Sequence, residues 1–131
     1  MKRATMALFL LCLMLCPVAF AETLSPLFNV KTMMPTDEIE VGMDAIGKSV
    51  FSGTEITDFK LKVMAVMEKS NSGYDVIVAR ILDGPVVDRN CGVMGGMSGS
   101  PVYINGRLIG VVAYTYIFEK EPVAGITSIN S

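Results

Sequence analysis

The sequence contains 131 residues, with 11 lysines and arginines, 13 aspartates and glutamates, and no histidine. A net charge of −2 without a basic run gives no electrostatic footprint for nucleic acid. The lack of histidine removes imidazole from these residues as a metal ligand and as a general base. The length allows one domain at most. We therefore expect a single domain that uses no metal, no cofactor and no nucleic-acid partner.

The N-terminus has the pattern of a secretory signal peptide. Two basic residues precede a short apolar stretch, and residues 19–21 have the small-x-small pattern that signal peptidase accepts. We predict a signal peptide over residues 1–21 with cleavage after Ala21, and therefore a secreted, periplasmic or cell-envelope protein. The alternatives are an uncleaved anchor, although a membrane span needs roughly 20 apolar residues, and a lipoprotein signal that ends at Cys16.

Cleavage would leave 110 residues with a net charge of −4 and one cysteine, Cys91. A single cysteine forms no internal disulfide, so packing alone must hold the domain together. We expect Cys91 to be a small buried or half-buried residue rather than a reactive thiol. Residues 22–35 show no periodicity, and we interpret them as an irregular leader before a domain over residues 36–131.

Alternating hydrophobicity predicts an antiparallel hairpin in the middle of the chain. Over residues 59–67 the apolar side chains, including Ala65 and Met67, share one face and the lysines take the other. A turn cluster at residues 70–73 leads into a second apolar strand over residues 74–82.

Turn signals divide the rest of the domain. The glycines that break the first part into short extended pieces and turns are Gly42, Gly47 and Gly53. Asn105-Gly106 is a strong hairpin signal, because both central positions take positive φ, and it joins strands over residues 101–104 and 107–114. One more strand is expected over residues 123–129. No long window combines a helical period with caps, so we predict an all-β barrel or sandwich.

A glycine-rich loop with a central serine precedes the strand at residue 101. Serine is a weak nucleophile unless its hydroxyl is held in an exposed turn near a base, and flanking glycines allow such a turn. If Ser98 attacks a carbonyl, its own amide and that of Gly96 can stabilise the oxyanion. The alternatives are a tight structural loop and a phosphate-binding loop, although the Lys-Ser/Thr pair of a P-loop is missing.

Residues 96–101, Gly-Met-Ser-Gly-Ser-Pro, resemble the nucleophile motif of the SpoIVB peptidase family, whose members are serine peptidases with a chymotrypsin-like fold. The likeness continues through residues 102–110, resumes at residues 118–127, and includes residues 42–51 and 59–67 upstream. The resemblance implies a chymotrypsin-like β-barrel domain, whole or as part of a two-barrel fold, which hydrolyses peptide bonds in peptide or protein substrates.

The resemblance also implies residue roles. Ser98 matches the nucleophile of the family, and Asp83, fifteen residues before it, matches the position of the triad aspartate. The amides of Gly96 and Ser98 would form the oxyanion hole. Residues 82–85 also read as an ordinary turn in which aspartate accepts backbone amides, and Asp88 is the alternative aspartate.

The general base of the family is a histidine, and the 131 residues of this sequence contain none. A desolvated lysine could replace it. The lysines of the mature domain considered for this role are Lys48, Lys60, Lys62, Lys69 and Lys120. We expect these lysines to be solvated surface charges. Two functions therefore compete: a secreted serine peptidase whose base lies in missing sequence, and an inactive pseudopeptidase or peptide-binding β module.

The sequence stops at Ser131 within extended, half-apolar sequence, so we expect either a fragment of a longer protein or a last strand that ends there. A two-barrel domain typically needs about 200 residues. The mature chain could then form one barrel whose apolar face self-association or a missing second barrel would cover. We predict that the isolated mature chain is poorly soluble or oligomeric.

Overall fold

The computed structural model of the chain describes residues 27–116 and 121–130. The predicted signal peptide, the alternative lipidation site at Cys16 and the candidate Lys120 lie outside the described residues. Within the described ranges, no helix is both long enough and apolar enough to cross a membrane.

The described chain forms a closed antiparallel barrel. The elements in chain order are a 3-10 helix at Thr36–Glu38, β1 at Asp44–Ser52, β2 at Glu55–Met67, β3 at Val76–Ile81, α1 at Pro85–Asp88, β4 at Pro101–Ile104, β5 at Arg107–Thr115 and β6 at Val123–Ser128. The strands close in the order β1-β2-β3-β6-β5-β4. The prediction of an all-β domain built on a β-barrel is therefore confirmed.

Both predicted hairpins are present. β2 and β3 pair antiparallel, as the alternating pattern indicated. β4 and β5 are joined by Asn105 and Gly106, whose φ angles of 49° and 77° are the positive values that a two-residue turn of this sequence requires. β6 occupies most of the stretch predicted as the last strand.

The prediction of a break at Gly47 is wrong, because Gly47 lies inside the continuous strand β1. Gly47 is paired with Phe59 of β2, and the aromatic ring lies where a Cβ of residue 47 would be. The glycine therefore makes room for a core side chain instead of ending a strand. Gly42 and Gly53 do lie in turns, as expected.

The predicted single apolar face of residues 59–67 holds only for its first half. Leu61 and Val63 are fully buried, whereas the side chain of Met67 is 39% exposed. The register with β3 shifts between Val63 and Ala65, so β2 contains a bulge at this point. The extra residue reverses the alternation, and Val66 packs against the core in place of Met67.

Residues outside the strands close the two ends of the barrel. At one end Met34 and Ile39 are buried, and the segment before them is bound to β5, because the N–H of Met34 donates to the carbonyl of Leu108 at 2.9 Å. At the other end Val86 of α1 and Met97 of the glycine-rich loop are buried in the same core. The second end carries Asp83, Gly96 and Ser98.

Candidate active site

The connection between β3 and β4 contains the candidate nucleophile, both candidate aspartates and the candidate oxyanion-hole residues. It begins with Asp83, directly after β3, and ends with the loop around Ser98, directly before β4. Two strands separate β3 from β4 in either direction around the barrel, so these strands lie on opposite walls. Asp83 and Ser98 therefore lie at the same end of the barrel but start from opposite sides of it.

The loop around Ser98 consists of two consecutive turns. The N–H of Met97 donates to the carbonyl of Met94 at 3.1 Å, and the N–H of Ser100 donates to the carbonyl of Met97 at 2.9 Å. The third residue of each turn is a glycine with positive φ, 96° at Gly96 and 85° at Gly99. This is the pattern of type II turns, which require glycine at that position.

Residues on both sides of Ser98 anchor the loop to the barrel. The side chain of Met97 is 2% exposed and belongs to the core, and the N–H of Gly99 donates to the carbonyl of Val112 at 2.8 Å. The buried hydroxyl of Ser100 donates to that of Ser49 on β1 at 2.9 Å. Ser98 itself is exposed, so its hydroxyl is presented to solvent from a fixed backbone.

The amides proposed for the oxyanion hole have no hydrogen-bond partner among the described residues. Within residues 27–116 and 121–130, neither the N–H of Gly96 nor that of Ser98 donates a hydrogen bond. The side-chain hydroxyl of Ser98 likewise makes no hydrogen bond to any described residue. An oxyanion hole needs backbone amides that are left unpaired beside the nucleophile.

A comparison with protein families assigns the chain. The family model described as SpoIVB peptidase S55 matches residues 22–129, which include the glycine-rich loop and all six strands. The chain belongs to the SpoIVB peptidase S55 family. It therefore carries a SpoIVB-like serine peptidase domain. The substrates of a peptidase family are proteins or peptides. A search of the curated proteins found no match.

Asp83, the candidate triad aspartate, is bound to β2. Its Oδ1 accepts the backbone N–H of Lys60 at 2.6 Å, and its Oδ2 lies 3.5 Å from the ammonium nitrogen of the same residue. No hydrogen bond among the described residues joins Asp83 to Ser98. The carboxylate therefore accepts a backbone amide of β2 rather than an amide of its own turn at residues 82–85.

Three described candidate lysines, Lys60, Lys62 and Lys69, are exposed, and Lys48 is half-buried with 43% of its side chain exposed, so all four lie on the surface. The ammonium of Lys48 lies 2.6 Å from Asp58, and that of Lys62 lies 2.6 Å from Asp44. Both pairs join residues that face each other across β1 and β2 on the outside of the barrel. Lys60 forms an ion pair with Asp83, which follows β3, and Lys69 is exposed.

Cys91 lies in the same connection and is half-buried, as expected from the sequence. Its Sγ lies 3.5 Å from the carbonyl oxygen of Val86, to which it donates.

The hydrogen bond between Ser49 and Ser100 was not predicted from the sequence, because a serine on an alternating strand gives no signal of a partner fifty-one residues away.

Proposed function

We propose that this domain is a secreted serine peptidase in which Ser98 is the nucleophile. The observation that carries the proposal is the loop itself, where an exposed hydroxyl is fixed between anchored neighbours beside the free amides of Gly96 and Ser98. The Oγ of Ser98 would attack the carbonyl carbon of the substrate and lose its proton to a base. The two amides would then donate to the tetrahedral oxyanion.

The proposal assigns the proton transfer to a group outside these residues. The 131 residues contain no histidine, and the ion pairs of Lys48, Lys60 and Lys62 lie on the barrel surface, where none of the three has the desolvated setting of a lysine base. Asp83 would then orient the incoming base. Without a base, a serine site keeps only about 10³–10⁴-fold catalysis from binding and oxyanion stabilisation.

Covalent labelling with a fluorophosphonate tests the nucleophile. We expect a single adduct on Ser98, formed faster when free imidazole is added as a substitute base, and no adduct in Ser98→Ala. Ser52→Ala is the matched control, because Ser52 is also exposed but is the last residue of β1, outside the loop around Ser98. An adduct that persists in Ser98→Ala would contradict the assignment.

The second candidate is an inactive peptide-binding module, which the lack of a histidine favours. A folded chain that shows no adduct at Ser98, even with imidazole, would support this function and exclude the first.

Secretion is a separate part of the proposal and rests on the signal-peptide pattern of residues 1–21. N-terminal sequencing of the mature protein should start at Glu22, and finding Met1 in a cytoplasmic fraction would contradict secretion.

A further inference from the structure

Part of the edge of β1 beside the Ser98 loop lacks a partner strand. In an antiparallel ladder, opposite residues either both turn their backbone groups toward each other or both turn them away. Lys60 turns away from β1, because its N–H donates to Asp83 at 2.6 Å and its carbonyl accepts the N–H of Leu82 at 2.8 Å. Ile46, directly opposite Lys60, therefore turns its backbone groups away from β2 and toward β4.

Alternation along β1 gives Val50 the same orientation as Ile46. Toward the C-terminal end of β1, the last residue paired with β4 is Gly47, which lies opposite Val102. If the same register continued, Gly99 would lie opposite Val50. Gly99 instead donates its N–H to the carbonyl of Val112 on β5 at 2.8 Å. In the described part of the chain, the N–H and the carbonyl of Val50 consequently have no hydrogen-bond partner.

The free groups of Val50 suit the backbone of another polypeptide. The N–H and the carbonyl of one residue on a strand edge can exchange two hydrogen bonds with the opposite residue of an added antiparallel β-strand. Such a strand would continue the line of β4 beyond Gly99, where the chain itself turns away. One end of the added strand would then lie beside Ser98, because Ser100 contacts β1 at Ser49, the neighbour of Val50.

Side chains next to this edge favour an apolar occupant. Val50 and Ile56 are opposite each other on the outer face of β1 and β2, and they are 49% and 68% exposed. A residue that pairs with Val50 would extend this row by one side chain. Cross-strand apolar pairs stabilise a sheet, so valine, isoleucine or an aromatic residue would be preferred there.

We propose that the substrate segment next to the scissile bond binds as an added β-strand opposite Val50, with an apolar side chain against Val50 and Ile56. The proposal rests on the proposed function only in taking the bound polypeptide to be a substrate. The free backbone pair and the apolar row would bind an extended peptide whether or not Ser98 reacts.

Peptide binding to the Ser98→Ala variant tests the site without requiring catalysis. The probe is acetyl-Lys-Thr-Val-Thr-Val-Thr-Lys-amide, with a control peptide that is N-methylated at alternate residues along its pairing edge. We expect the amide of Val50 to exchange rapidly with solvent in the free protein and to become protected when the peptide is added. The N-methylated peptide should give no protection.

Substitutions at Val50 separate its backbone from its side chain. Val50→Pro removes the free N–H without removing a hydrogen bond to β2, and proline is tolerated on such an edge. It should weaken binding about tenfold, whereas Val50→Ala keeps the N–H and should weaken binding less than about fivefold. Thermal unfolding of both variants shows whether either one has lost its fold. The N-methylated peptide, tested on protein that keeps Val50, shows the loss of binding without any change in the protein.

Several results would overturn the proposal. These are no binding at about 1 mM peptide, equal binding to Val50→Pro, or protection of amides elsewhere on the barrel. Protection of Val50 that depends on protein concentration instead of peptide would assign the edge to self-association. Failure of fluorophosphonate labelling with intact peptide binding would overturn the peptidase and leave the binding edge in place.

Discussion

The hydroxyl of Ser100 donates a 2.9 Å hydrogen bond to the hydroxyl of Ser49, and both side chains are buried. This contact joins the loop around Ser98 to β1, the strand that carries the free edge. It therefore connects the two features on which the proposed catalysis depends, the fixed position of Ser98 and the strand beside it.

Ser49→Ala should destabilise the domain by about 1–3 kcal/mol, because it leaves the buried hydroxyl of Ser100 without its acceptor. The double variant Ser49→Ala/Ser100→Ala should be less destabilised than the sum of the single variants. Urea unfolding of all four proteins completes the cycle. Strictly additive effects would show that the two hydroxyls do not interact.

Gly96→Ala should impair both the stability and the reactivity of the loop. The φ of Gly96 is 96°, which a residue with a Cβ adopts only with strain of about 1–2 kcal/mol. We expect slower fluorophosphonate labelling of Ser98, since the amide of residue 96 would be displaced. Gly95→Ala is the control, because its φ is not positive and a Cβ there meets no atom within 4 Å. Equal labelling rates in the two variants would argue against an oxyanion role for Gly96.

Asp83→Asn separates the structural and catalytic roles of this carboxylate. The amide oxygen of asparagine can still accept the N–H of Lys60, so we expect the stability to stay within about 1 kcal/mol of the parent. Asp83→Ala loses that hydrogen bond and should be less stable. If Asp83 orients the base, Asp83→Asn should also slow labelling of Ser98 measured with the base present. Unchanged labelling would leave Asp83 only its structural role, the hydrogen bond to the backbone of β2.

Glu38→Gln should make the N-terminal attachment less stable at neutral pH but not in acid. Hydrogen bonds from Arg107 lower the pKa of the Glu38 carboxyl below its ordinary value of 4.5. A lowered pKa in the folded state stabilises it above about pH 4.5, and this contribution is lost as the pH falls through the lowered pKa. Amide exchange at Met34, which is bound to β5 beside Arg107, measures the effect. A difference between Glu38→Gln and the parent that persists at pH 3 would contradict this linkage.

Gly47→Ala should destabilise the barrel by about 1–3 kcal/mol through overpacking, because the new methyl group would overlap the ring of Phe59. Gly92→Ala is the control, since a Cβ there comes no closer than 4.0 Å to Thr115. Adding Phe59→Leu to Gly47→Ala should recover part of the loss. A neutral Gly47→Ala would mean that the ring shifts without cost.

Local chemistry explains which elements could be predicted. The turn at Asn105 and Gly106 and the first half of the strand over residues 59–67 depend on preferences of neighbouring residues, and both are confirmed. The bulge after Val63 and the continuation of β1 through Gly47 could not be predicted in the same way. Each depends on a partner strand, and a glycine in a strand is read from sequence alone as a break.

By itself the sequence determined most of the strands and turns and the family, because alternation, turn residues and the loop motif are properties of short segments. Only the tertiary structure decided how the barrel closes, which serines meet and which edge stays free. The register of β1 with β4 sets all three, since it brings Ser49 to Ser100 and leaves Val50 opposite a chain that turns away at Gly99. That register arises from pairing between segments about fifty residues apart, where the packing of the whole core selects one alignment.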